Sequence, residues 1–341
     1  MLKPFLNRLI DGDHLSDQEA YKVMDHIMKG QVSTEQLTSL LSIMRFRGET
    51  VSELLGFTNG MREHMKTIQH QEEVVVDTCG TGGDGHSTFN ISTAVAIVLA
   101  AMGVKVAKHG NRKVSSSSGS ADVLELLGIP VESTSEQAEE RLAHQGMTFL
   151  YAPQYHQAMK HAVPARKALG FRTFFNLLGP LSNPANSRHQ VIGLYDNSLG
   201  EKLAETLRSL GSQHVLLVTG KEGLDEFSIA EPTDIVELNK GEISRIELKP
   251  EEVGLKRGNL KDIQVQNAMD SARLIQEIFE GRSNESARDI VVLNAAAGLY
   301  VSGKTDSIKD GVSIVKQAID NGIVLNYYQS ICSGKEGVSN A

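Results

Sequence analysis

From residue 74 onward the chain alternates short apolar runs with amphipathic segments, and no other feature limits its fold as much. Strand-like runs at 74–77, 104–108, 147–151, 190–195 and 214–219 are separated by helix-like segments at 90–102, 120–127, 135–145 and 199–210. Such runs are too far apart for tight hairpins. They need crossover connections, which produce a mainly parallel sheet covered by helices. Residues 235–238 and 243–248 flank the turn "NKGE" and predict a hairpin, and helices are expected at 267–280, 285–301 and 308–321.

The first 70 residues contain no strand-like run. Three capping boxes follow one another there: Ser16-x-x-Glu19, Ser33-x-x-Gln36 and Thr50-x-x-Glu53. Each opens a segment with apolar residues on one face, such as Ala20, Val23, Met24, Ile27 and Met28. The fold class expected is α/β, with a small N-terminal α-helical domain and a large α/β domain whose mainly parallel central sheet is flanked by helices. The division is 1–70, joined by part of 160–190, against 71–341. A chain of 341 residues exceeds the size at which one core stops growing, which fits this division.

A net charge of −8, from 34 basic and 42 acidic residues, argues against non-specific binding to nucleic acid or to a membrane surface. Two cysteines, Cys79 and Cys332, cannot build a disulfide framework and suit a reducing, cytoplasmic setting. The N-terminal stretch is broken by Asn7, Arg8 and Asp11 and does not read as a secretory signal. The apolar stretch "ISTAVAIVLAAMG" is too short to span a bilayer and reads as a buried helix.

Directly after the first strand comes "DTCGTGGDGHSTFNIST", residues 77–93, with glycines at 80, 82, 83 and 85. The pattern Gly80-x-Gly82-x-x-Gly85 formally matches a dinucleotide fingerprint. That reading requires an acidic residue roughly 20 positions on. No Asp or Glu occurs between Asp84 and Asp122, and no Gly-Lys-Ser/Thr completes a triphosphate loop. Physically, glycines let successive backbone N–H groups approach an anion, and the following helix adds its unpaired N–H groups. Thr88, Asn90, Ser92 and Thr93 add side-chain donors. A second loop, "KHGNRKVSSSSGSADVLE" at 108–125, also follows a strand and precedes a helix. Two such loops side by side at the carboxyl edge of a parallel sheet suggest a ligand with two separated phosphates.

These two loops and "FFNLLGPLSNPA" at 174–185 together resemble the anthranilate phosphoribosyltransferase family, in motif order and over the length of the chain. The resemblance implies a nucleoside phosphorylase-like fold, usually a homodimer. It also implies transfer of the phosphoribosyl group of phosphoribosyl pyrophosphate (PRPP) to anthranilate, the second committed step of tryptophan biosynthesis. By position it assigns Gly80, Thr81, Gly82, Gly83, Asp84, Thr88, Asn90, Ile91, Ser92 and Thr93 to PRPP. Lys108, Ser116, Ser117 and Ser120 would serve its phosphoribosyl end. Gly80, His109, Asn111, Arg166, Gly179 and Pro180 would line the anthranilate site. Ser92, Asp225 and Glu226 would be ligands of Mg²⁺. Lys113 departs from the family pattern, where a small residue is expected.

The implied chemistry needs positioning and electrostatics more than proton transfer. Mg²⁺ binds substrate phosphates with only one or two carboxylates, a role open to Asp225-Glu226. Displacement at the ribose C1 passes through an oxocarbenium-like state. The anthranilate amine is neutral and nucleophilic, so no residue is assigned as a catalytic base, although His109 could serve in principle. Arg166 offers a planar fork to the substrate carboxylate. Cys79 has no His, Lys or Arg within five residues to sustain a thiolate. The acceptor is expected to enter between the two bodies, whose closure would exclude water. A pyrimidine nucleoside phosphorylase shares the glycine loop but would use neither Mg²⁺ nor PRPP. A non-catalytic, nucleic-acid-binding relative would show an enlarged basic surface.

Overall fold

The computed structural model describes residues 2–112 and 118–332. Four helices come first: α1 (Lys3–Ile10), α2 (Asp17–Met28), α3 (Thr34–Arg47) and α4 (Val51–Glu63). There follow β1 (Val75–Gly80), α5 (Ile91–Ala101), β2 (Lys105–Gly110), α6 (Ser120–Leu126), α7 (Ser135–Gln145) and β3 (Met147–Tyr151). Next are α8 (Ala152–Tyr155), α9 (Val163–Leu169), α10 (Phe175–Leu181), β4 (His189–Gly193), α11 (Gly200–Ser209) and β5 (His214–Gly220). The chain ends with β6 (Thr233–Asn239), β7 (Glu242–Leu248), α12 (Ala268–Phe279), α13 (Glu285–Val301), α14 (Ile308–Asp320) and α15 (Ile323–Cys332).

The seven strands form one sheet in the order β3-β2-β1-β4-β5-β6-β7. The first five are parallel, and the predicted hairpin β6–β7 adds two antiparallel strands at one edge. The α/β architecture is the one expected, and most elements lie within a few residues of the positions read from the sequence. β1 and β2 run further than the apolar runs suggest, to Gly80 and Gly110, because Gly80 pairs with Gly193 and Gly110 with Tyr151. The short helices α8 to α10, and α15, carry no clear periodic signal and add to the elements legible in the sequence. Of the three N-terminal boxes, those at Ser16 and Thr50 are reciprocal, whereas Ser33 accepts from Gln36 N–H with no return bond.

Helices cover both faces of the sheet. One apolar cluster joins α5, α13 and α14 to Val76, Val106, Val191 and Leu216. α5 is apolar on nearly every side, as befits a helix wrapped by others. The second cluster runs from the N-terminal helices through Ala162, Ala165 and Phe174 to Val215, Leu217 and Val236 on the opposite face. At its centre Phe57 of α4 stacks on Phe174, with ring centroids 4.4 Å apart and planes at 9°. Such a pair adds roughly 0.5–1.5 kcal/mol beyond the area it buries. Glu53 is fully buried but satisfied: it accepts from Leu15 N–H, Thr50 N–H and the Arg47 guanidinium, and so fixes the α3–α4 turn.

The chain runs outward from β1 to β2 and β3, then returns to place β4 on the other side of β1. A ligand crevice is expected outside the carboxyl ends of strands at such a reversal. There β1 and β4 end on the paired residues Gly80 and Gly193. A Cβ on Gly193 would fall 1.5 Å from the Asp225 carbonyl oxygen, and one on Gly80 would fall 2.8 Å from Asp225 Oδ2. Gly193→Ala should therefore displace the 224–226 turn and destabilise the fold by about 1–3 kcal/mol, as overpacking usually does. Urea unfolding checks this; an unchanged midpoint would contradict the packing described.

Candidate active site

The glycine loop leaves β1 at Gly80 and turns through Gly82, Gly83 and Gly85, with φ of 71°, 80° and 83°. Side chains rarely adopt these angles, so the glycines are needed to make the turn. Its second half is held like a strand. Phe89 N–H donates to Ile263 O, Val265 N–H donates to Ser87 O, and Thr88 bridges Gln264. The loop delivers the chain to the N-terminus of α5.

The acidic pair lies against both anion-binding elements. Gly82 N–H donates to Asp225 Oδ2 at 2.9 Å, and Ser92 N–H donates to Glu226 Oε1 at 3.1 Å. The two carboxylates thus occupy a loop N–H and a helix N-terminal N–H that the sequence reading reserves for phosphates. Asn90 puts no side-chain cap on α5. Its amide is tied instead to Ser118 in the second loop and to Ser271 on α12.

Lys108 lies beneath these groups, only 2% exposed. Its ammonium donates to Thr78 O and to Ser92 Oγ, 3.1 Å away. Asp77 is fully buried on β1 and accepts from His109 N–H at 3.3 Å, while its Oδ2 has no partner. Burial draws the Lys108 ammonium below its ordinary pKa, and the nearby Asp77 opposes that shift. Burial pushes the Cys79 thiol well up, so it is not a thiolate nucleophile.

Asp225 and Glu226 both titrate high. Burial raises Asp225, and the charges of Asp84 and Glu226 raise it further. Burial raises Glu226 to about 8, with Lys108 opposing. Asp84 accepts from His86 N–H through Oδ1 and leaves a buried Oδ2 unpartnered. Three carboxyls therefore crowd one place with too little positive charge to balance them. Such a set suits a hard divalent cation. Among the described residues no group of three His, Cys, Asp or Glu side chains is arranged to ligate a metal by itself. A cation there would share oxygens with bound phosphates.

The residues assigned to the acceptor are spread over β1 (Gly80), β2 (His109), the second loop (Asn111), α9 (Arg166) and α10 (Gly179 and Pro180). His109 lies next to the end of β2, and its ring lies 5.0 Å from that of His156. Burial lowers His109 to about 3, with His156 lowering it further and a hydrogen bond to the Gly179 backbone opposing. Burial lowers His156 to about 4. Both rings are neutral at pH 7, and His156 bonds Ser182 O at 3.0 Å. Arg166, on α9, stands with its guanidinium 5.5 Å from the centroid of the Phe175 ring, on the helix that carries Gly179 and Pro180. Asn111 is exposed at the start of the second loop, where its backbone carbonyl accepts from Ala121 N–H and Ser120 Oγ.

In the second loop Arg112 is basic in sequence, yet its guanidinium is held by Glu125 at 2.5 Å and Asp122 at 3.2 Å on α6. Ser116 and Ser117, together with Lys113, lie outside the described residues. Two groups join the site from outside the motifs: His156, and Arg172, which packs on Gly83. Asp77, the first residue of the glycine-loop motif, adds a buried Oδ2 without a partner and has a local signal as an acidic residue inside an apolar strand.

The raised carboxyl of Glu226 carries a pH dependence. It binds its proton more tightly in the folded chain than in the unfolded one. Its contribution to stability is therefore complete below pH 4.5 and lost as pH rises to about 8. In chelator without phosphate, Glu226→Gln should stabilise the protein more at pH 8.5 than at pH 5. The difference should be on the order of 1 kcal/mol after solvent screening. Urea midpoints at the two pH values measure it, and equal effects would refute the shift.

Comparison with known proteins agrees with this geometry. Residues 3–65 match the helical bundle domain of a glycosyl transferase family, and residues 72–325 match its a/b domain. The chain is 56% identical over 319 residues to an anthranilate phosphoribosyltransferase of Geobacillus sp. (strain WCH70), covering 94% of each protein. Its fold is similar to the crystal structure of the Thermus thermophilus anthranilate phosphoribosyltransferase, with TM-score 0.90 and 38% identity, covering 96% of this chain and 98% of that one. It is also similar to the Saccharomyces cerevisiae enzyme in complex with PRPP and Mg, with TM-score 0.89 and 25% identity, covering 98% of each. A crevice at the sheet reversal, with an acidic pair on its anion-binding N–H groups and a full-length relative at this identity, leads to one conclusion: the chain belongs to the anthranilate phosphoribosyltransferase family.

Proposed function

We propose that the crevice outside β1 and β4 carries out the family's reaction, in which the chain transfers the phosphoribosyl group of PRPP to the amine of anthranilate and releases pyrophosphate. The observation that carries this reading is the double occupancy of anion-binding N–H groups by Asp225 and Glu226. A diphosphate arriving there competes for those N–H groups and leaves the carboxylates free to face a cation. Ser92, Asp225 and Glu226 would hold Mg²⁺, as in the assignment made from sequence. When bound, Mg²⁺ neutralises charge on the departing diphosphate oxygens.

The chain's own residues position the rest. Gly80 to Asp84, Thr88 and Asn90 to Thr93 cradle the donor's phosphates, with the α5 N-terminus adding backbone donors. Lys108 reaches that cradle through Ser92 Oγ, so it sets the loop and the helix start relative to each other. Asp84 partners the ribose hydroxyls or metal-bound water. His109, Asn111, Arg166, Gly179 and Pro180 form the acceptor's side, where Arg166 takes the carboxylate. The neutral His109 has one ring nitrogen, Nε2, buried without a partner, which suits a hydrogen bond to the acceptor. The amine is nucleophilic as it stands, so catalysis rests on orientation and on electrostatic stabilisation of the ring cation.

The assembly and setting belong to the same proposal. The helical segment 1–70, with part of 160–190, forms the small domain, and the acceptor enters between it and the large one. Ile10 and Phe46 on the helical segment are 69% and 96% exposed, which supports a homodimer formed through that region. Both cysteines are free, which supports the reducing cytoplasm.

The decisive assay follows anthranilate fluorescence. PRPP with Mg²⁺ should quench it progressively, and excess chelator should stop the decay. Folded protein that leaves the signal unchanged would overturn the proposal. Arg166→Ala should raise the KM for anthranilate at least ~10-fold, as loss of a charge-assisted fork implies, and change that for PRPP far less. Equal increases would remove Arg166 from the acceptor site.

A further inference from the structure

Arg172, in the link between α9 and α10, is assigned no role by the family motifs quoted above. Its guanidinium lies against the glycine loop: a Cβ placed on Gly83 would fall 2.8 Å from Nη2 and 2.9 Å from Nε. Its face packs on Tyr195, with Cζ 4.1 Å from the ring centroid. The Tyr195 backbone is tied to the same loop. Tyr195 N–H donates to Thr81 Oγ1 at 3.2 Å, and Thr81 N–H donates to Gly193 O at 2.9 Å. Among the described residues no carboxylate is ion-paired to Arg172, whereas Arg112 is held by two.

The charge balance of the crevice gives this placement its meaning. Asp84, Asp225 and Glu226 are crowded there. The buried cation beneath them, Lys108, already commits its ammonium to Thr78 O and Ser92 Oγ. A diphosphate carries more negative charge than that arrangement balances. A guanidinium stacked on an aromatic face keeps its N–H edge open to two acceptor oxygens, the bidentate geometry that phosphate favours. Among the loop's glycines, Gly83 is the one against which Arg172 packs, and any side chain there would push the guanidinium away.

We propose that Arg172 is a binding residue for the diphosphate of the phosphoribosyl donor, held over Gly83 by Tyr195; the inference rests on the reading given under Proposed function. It does not serve the acceptor carboxylate, because its contacts are with the donor loop, while Arg166 stands over Phe175 on α10.

The test is calorimetric titration of magnesium pyrophosphate, and separately of anthranilate, into wild-type protein and Arg172→Gln, with folding checked by thermal melting. Gln keeps a planar group on Tyr195 and removes the charge. Pyrophosphate should bind the variant at least ~10-fold more weakly and with a shallower salt dependence, while anthranilate affinity changes less than ~2-fold. A role limited to packing would leave the salt dependence unchanged. Equal pyrophosphate affinity, or a loss confined to anthranilate, would overturn the inference and leave the functional reading standing. Wild-type protein that bound no pyrophosphate would overturn both. Should the Gln variant not fold, Arg172→Lys decides: several-fold weaker pyrophosphate binding supports the role, and wild-type affinity refutes it.

Discussion

The architecture turns on a close approach between two strand ends and one acidic turn. Gly80 and Gly193 pair where the strand order reverses, and neither has a side chain because the backbone and carboxylate of Asp225 occupy that space. Everything distinctive about the crevice follows. Asp225 reaches Gly82 N–H because β1 and β4 let it approach, and Glu226, next in sequence, is thereby aimed at the first turn of α5. A helix N-terminus and a glycine loop are each ordinary anion sites. Bringing a carboxylate to both supplies the site with anions from the chain itself.

That arrangement resolves a conflict of charge. Acidic residues are unfavourable neighbours for phosphates, and the Asp225 and Glu226 carboxyls are indeed pushed up by burial and by nearby carboxylate charge. In the proposed reading a divalent cation would remove the conflict: the N–H groups would serve the diphosphate, and Asp225 and Glu226 would hold the cation. The neutral rings of His109 and His156, beside Gly179 and Ser182, form a less charged environment on the side proposed for the acceptor.

Sequence reasoning finds what is local and misses what depends on distant contacts. The glycine loop is legible because its positive φ angles demand glycine within six residues. The parallel sheet is legible because β-branched runs and amphipathic segments alternate. Asp225 and Glu226 lie over 130 residues from the N–H groups they meet, and only the family resemblance singles them out. The side chain of Arg112 is basic in sequence but neutralised by its own following helix, which spacing alone does not reveal. Arg172 is one arginine in an irregular link, and only the folded packing against Gly83 distinguishes it.

The continuity of the second apolar cluster bears on how the chain comes together during synthesis. The N-terminal helices emerge first, yet their core is completed by Ala162, Ala165 and Phe174 and then by residues of β4 and β5. Phe57 must wait for Phe174, more than 110 residues later, before its stacking partner exists. Until that point the early helices present an uncovered apolar face. The ribosome-bound chain is therefore most exposed to aggregation and to chaperone capture while the first three strands are being made.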